Sequence, residues 1–441
     1  GTLDPTAGLF GGRWNGIYSG ISKANIAIDE ISEMDESLID AETKNNYIGQ
    51  AMFLRALFYF NLALYYEEVP LITSYQTLEE AYVPKNSYQE INDQIIEDLL
   101  FAIDHLPEQH DSGLYGYATK GAALALLSRV QLYNKVYEGP NGVLELTQEL
   151  LGLGYSLHPN YGQLFSIEGE YSPEIVFSVR FLRGADSDNG ETFSATYLGT
   201  PKVDSRPMPN LVNDFYCTDG LPIDESPRYD PNNPGLNRDP RANATIYFPG
   251  DLFLVNPDKV YNGNGATGFG HRKYIRQGPD EEGNPPGGQG SQDFYLIRYA
   301  EVLLTRAEAL VETGNGTSQL AKGGDVSKGK FTTKTGHKYH NVFGIGAFDN
   351  NALVDGIKYA KNAGWTSVSK AIIGGAKFIG NSYVKAGQNT LYKMRWNPAN
   401  PGTHQYATDI NWANLNAKSL KYLYDQINSV GKYFEIPVFN Q

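Results

Sequence analysis

The sequence predicts a mainly α-helical protein, and three observations carry that prediction. Four segments before residue 155 place apolar side chains at helical spacing. The stretch from about 155 to 292 is rich in Pro, Gly, Asn and Asp. The charge then changes sign near residue 311. The periodic segments read as a helical scaffold, the second stretch as a loop-rich insertion on it, and the charge reversal as a division into 1–310 and 311–441.

The elements follow in order. Residues 42–66 carry Ile48, Ala51, Phe53, Leu54, Leu57, Phe58, Phe60, Leu62 and Leu64 on nearly every helical face, the pattern of a helix buried among others. Arg55 lies inside it and requires a buried acid as partner, because an unpaired internal charge is costly. Val69-Pro70 ends the run, since proline cannot continue the helical ladder. Residues 88–105 repeat apolar positions at Ile91, Ile95, Leu99 and Ile103. Thr119 can cap a helix over 120–133, and residues 143–151 form a shorter one. Helices paired in this order point to a helical-repeat scaffold, although no strict repeat period is visible. Within the insertion, 174–179 and 244–248 read as short strands. Residues 295–310 read as one further helix.

Composition bounds the function. The chain has 441 residues, room for a large core and roughly two or three domains. Its 31 tyrosines are the unusual feature. Tyrosine offers an apolar face with a polar edge, which suits a carbohydrate surface and equally a wet aromatic edge on a helical protein. No apolar run is long enough to span a membrane, and Gly1-Thr-Leu-Asp-Pro5 does not read as a secretory signal. Cys217 is the only cysteine, so no internal disulfide or cysteine-rich metal site is expected. No metal or other cofactor is implied. Residues 311–441 hold 14 Lys and one Arg against seven acids, a net of +8, while residues 1–310 hold 21 basic and 43 acidic residues, a net of −22. A basic C-terminal segment favours an anionic polymer such as a bacterial wall. Nucleic acid is not expected, because no Arg-rich stripe or RNA-binding motif is present. Gly263-Asn-Gly-Ala-Thr-Gly268 matches the dinucleotide fingerprint in letters only, since no strand-to-helix context is expected there.

Asn46-Tyr-Ile-Gly-Gln-Ala-Met-Phe-Leu-Arg-Ala-Leu-Phe-Tyr-Phe60 and Glu68-Val-Pro-Leu71 resemble the first conserved helix of the SusD/RagB glycan-binding family and its exit. Ala118-Thr-Lys-Gly-Ala-Ala-Leu-Ala-Leu-Leu-Ser-Arg129, Asn237-Arg-Asp-Pro-Arg241, His271-Arg-Lys-Tyr274 and Leu296-Ile-Arg-Tyr-Ala-Glu-Val-Leu-Leu304 follow in the family's order. The resemblance covers about residues 13–310. It implies a tetratricopeptide-like scaffold and an outer-membrane lipoprotein at the cell surface of Bacteroidota. Such a protein binds oligosaccharides for nutrient uptake beside a TonB-dependent transporter. The family's lipid-bearing cysteine and first helices are not expected within this chain, and its glycan contacts transfer to no numbered position.

Glu312-Thr-Gly-Asn-Gly-Thr-Ser318 resembles the motif closing the catalytic helix of bacterial cell-wall endo-β-N-acetylglucosaminidases. Asn341-Val-Phe-Gly-Ile-Gly-Ala-Phe-Asp349, Ala371-Ile-Ile-Gly-Gly-Ala-Lys-Phe-Ile-Gly-Asn381, Asn389-Thr-Leu-Tyr-Lys-Met-Arg-Trp-Asn-Pro398 and His404-Gln-Tyr-Ala-Thr-Asp409 continue it in order, over about 311–436. The resemblance implies a lysozyme-like helical lobe acting on peptidoglycan, either secreted or at the surface. Glycosidic cleavage needs a proton for the leaving oxygen and a group to meet the oxocarbenium charge. The resemblance makes Glu312 the general acid and leaves Asp349, Asp409 or the substrate's own acetamido group as the second. It makes Trp396, Gln405 and Tyr406 cleft-lining residues; ordinary packing is the competing role for each. Helices upstream of the acid in that family are missing here, and the 295–310 helix stands in for them. Three readings remain: a SusD-type glycan binder with a foreign C-terminus, an active glucosaminidase, and a recombined chain without function.

Overall fold

The structure is a computed structural model. It describes residues 8–80, 82–183, 190–194, 206–253, 256–263, 265–275, 289–312, 320, 323–327, 329–332, 338–347, 351–401 and 403–406. Two compact units divide it, one within Gly1–Val136 and Pro140–Thr305, the other within Tyr137–Gly139 and Arg306–Gln441. The fold is mainly α-helical. Among the described residues no helix is long and apolar enough to cross a membrane.

The first unit begins with α1 (Gly8–Glu33), α2 (Ala41–Tyr66), α3 (Tyr88–His105), α4 (Lys120–Tyr133) and α5 (Val143–Leu150), each packed on the next in chain order. Local chemistry fixes their starts. Asp40 accepts from the Thr43 amide, Ser87 and Glu90 form a reciprocal capping box, and Thr119 accepts from the Ala122 amide. These caps satisfy amides that have no partner inside the helix. Helix α1 was not assigned from sequence, yet its buried Ile21, Ala24 and Ile28 lie at the spacing of one helical face. Helix α2 buries Phe53, Ala56, Tyr59 and Leu62 but turns Leu54 and Leu64 outward, so it is not enclosed on all sides.

Arg55 finds its acid in Asp98 of α3, through Nε and Nη2 at 2.8 and 2.7 Å. Its Nη1 donates to Asn25 Oδ1 of α1 at 2.9 Å and to the Thr73 carbonyl at 2.8 Å. One buried guanidinium thereby ties three helices and the chain leaving α2.

Short elements follow: α6 (Tyr161–Leu164), β1 (Ile175–Val179), α7 (Pro209–Asp214), α8 (Pro240–Thr245), β2 (Ile246–Tyr247), β3 (Leu252–Phe253), β4 (Asn256–Val260), β5 (Gly270–His271) and β6 (Phe294–Arg298). The strands pair antiparallel as β1–β6, β2–β5 and β3–β4. The 244–248 expectation is corrected here: Asp239 caps a helix that runs through Thr245, and the strand starts at Ile246. At 263–268, strand β4 does lead in, but β5 rather than a helix follows.

The helix expected from residue 295 starts four residues later, as α9 (Tyr299–Glu312). Residues 294–298 form β6, with Ser178 opposite Tyr295 and Phe177 opposite Ile297. Tyr295 and Ile297 are buried while their neighbours are not, so a two-residue period won over the helical one. In the first turn of α9, Glu301 receives Arg129 of α4 at 2.6 and 2.7 Å.

In the second unit, β7 (Asp325–Ser327) and β8 (Lys330–Thr332) form a hairpin. Three α-helices are described after it, α10 (Ala352–Asn362), α11 (Val368–Ile379) and α12 (Leu391–Trp396), with a π-helical turn at Gly380–Val384 following α11. The core gathers Ile345, Ala360, Trp365 and Ala371, with Tyr339, Phe343, Tyr359 and Phe378 around them. Two adjacent glycines of α11 permit it. A Cβ on Gly374 would lie 2.0 Å from the Trp365 indole, and one on Gly375 2.0 Å from the Phe343 ring. Asn341, fully buried, donates to the carbonyls of Ile345 and Gly356 at 2.7 and 2.9 Å and accepts from the Ile345 amide at 3.0 Å.

Candidate functional site

In the first unit, a cleft of about 280 Å³ opens between the α3–α4 connection and β1. Tyr115, Tyr117, Tyr155 and Tyr171 wall it, with His110 and Thr119 beside them. Tyr171 and Tyr117 are 66% and 48% exposed. The Tyr115 and Tyr171 rings lie 4.7 Å apart at 51°, and the Arg180 guanidinium lies 4.9 and 5.1 Å from their centroids. Arg180 Nη2 also donates to the Tyr171 hydroxyl at 3.2 Å.

The scaffold positions this wall. Gln50 of α2 accepts from the Ala118 amide and donates to the Ala118 carbonyl, both at 2.7 Å, pinning the segment that carries Tyr115 and Tyr117. Between those tyrosines, Gly116 adopts φ +104°, and a Cβ there would meet Arg180 Cγ at 2.5 Å. Glycine is thus needed twice, for the backbone conformation and for the passage of the arginine stem.

Behind the rings sits a buried acidic pair. Glu170 accepts from the Asp293 amide at 2.7 Å and from Gln292 Nε2 at 3.3 Å. Its own carbonyl accepts from the Tyr115 hydroxyl at 3.2 Å. Burial, reinforced by the neighbouring Asp293 charge, pushes the Glu170 carboxyl up to about 7. Burial also raises Asp293, against the pull of Arg180, whose Nε lies 3.0 Å from Asp293 Oδ2. The arginine that braces the tyrosines is therefore the counter-charge of the acids beneath. Such a wall can stack on the C–H face of a sugar ring and hydrogen-bond at the ring edges.

The residues expected to serve hydrolysis are placed in part. Glu312 is the last residue of α9, and its side chain lies outside the described residues, as do Asp349 and Asp409. Trp396 ends α12, with the Arg395 guanidinium 4.1 Å from its ring. Asn397 then adopts a left-handed φ of 41° and donates to the Thr403 carbonyl at 2.8 Å, closing a loop that brings the chain back. Gln405 and Tyr406 lie on the returning side, where the Tyr406 amide donates to the Met394 carbonyl at 2.9 Å. The Tyr406 hydroxyl donates to the Phe343 carbonyl at 2.9 Å, and its ring meets Tyr383 edge-on at 5.3 Å. Burial, with Tyr383 adding, pushes this phenol up to about 12. Trp396, Gln405 and Tyr406 thus share one loop stem, with Tyr406 anchored in the packing. Sequence reading did not find the tyrosine cleft, whose walls come from three separate segments. Its local signal was Tyr115-Gly-Tyr117 directly before a helix cap.

Family comparisons divide along the same chain. Residues 2–132 match the family described as starch-binding, associating with the outer membrane, and residues 173–323 match the SusD family. Residues 299–425 match the mannosyl-glycoprotein endo-β-N-acetylglucosaminidase family. A SusD-like protein and a SusD-like carbohydrate-binding protein, both of Bacteroides fragilis, superpose with TM-scores of 0.57 and 0.60 at 29% and 28% identity. They cover 69% and 73% of this chain, which spans 64% of each of theirs. The bifunctional autolysins of Staphylococcus epidermidis and Staphylococcus aureus are 83% and 67% identical over 150 residues, 34% of this chain and 11% of each autolysin. The SusD and glucosaminidase matches overlap over 299–323, a range that includes α9. The residues leading into α9 are therefore similar to the SusD family, and those beyond residue 323 to the endo-β-N-acetylglucosaminidase family alone.

Proposed function

We propose that the chain handles carbohydrate at two places. In the first unit an oligosaccharide lies in the cleft walled by Tyr115, Tyr117 and Tyr171. The observation that carries this reading is the Tyr115–Tyr171 pair, both open to solvent and held around one arginine whose charge is already spent on buried acids. Rings fixed in advance lose little freedom on binding, which suits an uncharged, extended ligand such as a neutral glycan. Affinity electrophoresis of the full chain against a panel of neutral polysaccharides tests it. Retardation by at least one glycan, reduced by Tyr171→Ala, is the expected result, and free migration in every gel refutes it.

The second place is the basic segment, which we read as acting on N-acetylglucosamine-containing wall glycan. Glu312 is its general acid, Asp349 or Asp409 the second carboxylate, and Trp396, Gln405 and Tyr406 part of its wall. A carboxyl at a helix end bordering a Gly-Asn-Gly sequence can retain its proton and still reach a leaving oxygen. Zymography on bacterial walls tests it: clearing by the parent chain and none by Glu312→Gln is expected. Clearing that survives the substitution removes Glu312 from the role. The SusD relationship extends the reading to a cell-surface location beside a TonB-dependent transporter. Co-purification with such a transporter checks that partner.

A further inference from the structure

A second pocket of the first unit, about 260 Å³, lies where α6, α8 and the turn at 272–275 converge, and Phe165, Asn243, Arg272, Lys273 and Tyr274 line it. Its chemistry differs from that of the tyrosine cleft. Lys273 Nζ sits 3.9 Å from the centroid of Phe165, and 5.7 and 5.9 Å from those of Tyr161 and Tyr274. Among the described residues this ammonium has ring faces around it and no hydrogen-bonded acid. The nearby carboxylate, Glu174, is committed elsewhere: Arg298 Nη1 takes one oxygen and the His158 amide takes the other at 2.8 Å. Arg272 adds a second cation to the lining, 3.7 Å from Asp251 and 5.2 Å from the Tyr247 ring. Burial and the Arg298 charge pull the Lys273 ammonium down to about 8. A partly desolvated cation without an acceptor is held at a cost, and an incoming anion removes that cost while gaining charge-assisted hydrogen bonds.

We propose that this pocket is a carboxylate site, in which Lys273 and Arg272 clasp the acid group of a uronic-acid saccharide whose ring lies against Tyr274. Asn243, on the same wall, supplies an amide for the neighbouring hydroxyls. The saccharide part of this assignment rests on the carbohydrate reading of the unit, whereas the demand for a carboxylate rests on the pocket alone.

Calorimetric titration of the full chain with trigalacturonate, its methyl ester and a sulfated neutral trisaccharide tests the site. The acid is expected to bind at least about tenfold more tightly than the ester, a gap of about 1.4 kcal/mol. Lys273→Met should erase that preference without lowering the melting temperature, and Tyr171→Ala, in the other cleft, should keep it. The proposal is overturned if acid and ester bind alike, if neither binds at millimolar concentration, or if Lys273→Met retains the preference. Equal binding of the sulfated sugar overturns the carboxylate assignment in favour of charge alone. Retardation by neutral glycans judges the tyrosine cleft separately.

Discussion

Tyr171 projects into solvent, yet its hydroxyl and its ring both contact Arg180. A cation–ring contact of this kind contributes about 0.5–1 kcal/mol at an exposed site, so Tyr171→Ala, which frees Arg180, is expected to weaken glycan binding up to about fivefold by titration. Beneath it, the raised carboxyl of Glu170 links the stability of this unit to pH. A carboxyl whose folded pKa of about 7 exceeds its ordinary 4.5 takes up protons on folding. Its contribution to stability is complete below the ordinary value and is lost as pH rises through about 7. The melting temperature should therefore fall between pH 5 and 8, and Glu170→Gln should flatten that fall; an unchanged slope would remove Glu170 as its source. Neither residue was legible as part of a site. Glu170 meets Asp293 across more than a hundred residues, and no local spacing encodes such a meeting.

The start of α4 was legible because a cap is local: Thr119 announces the helix within three residues, whereas α2 and α3 were read from apolar spacing and the structure adds their caps, Asp40 and Ser87. The need for an acid beside Arg55 was also readable, although its identity as Asp98 required the fold. Removing that acid leaves the guanidinium buried and uncompensated, so Asp98→Asn should cost about 3–5 kcal/mol in denaturant titration of the full chain. The start of α9 misled the periodic reading. Tyr-Leu-Ile-Arg fits either period, and pairing with β1 decided for a strand. In the second unit, Gly375→Ala would drive a methyl against Phe343. A loss of about 1–3 kcal/mol is expected from this overpacking, read as an earlier thermal transition.

Across the molecule, charge was the property that sequence alone displayed most openly. The net of +8 after residue 310 and −22 before it predicts that attachment to purified anionic wall weakens steeply between low salt and about 0.5 M, where screening acts over only a few ångströms. Attachment indifferent to salt would point to sugar contacts rather than charge. Helical class, insertion and family resemblance were likewise visible in the sequence, because each is written in contiguous residues. The glycine pair of α11 carries a consequence of another sort. Each glycine weakens an isolated helix by about 1 kcal/mol relative to alanine, so a peptide of residues 368–379 should show little ellipticity on its own. Helix α11 cannot then serve as an early nucleus on the route to the native state; its coil must wait for the indole of Trp365 and the ring of Phe343 to arrive.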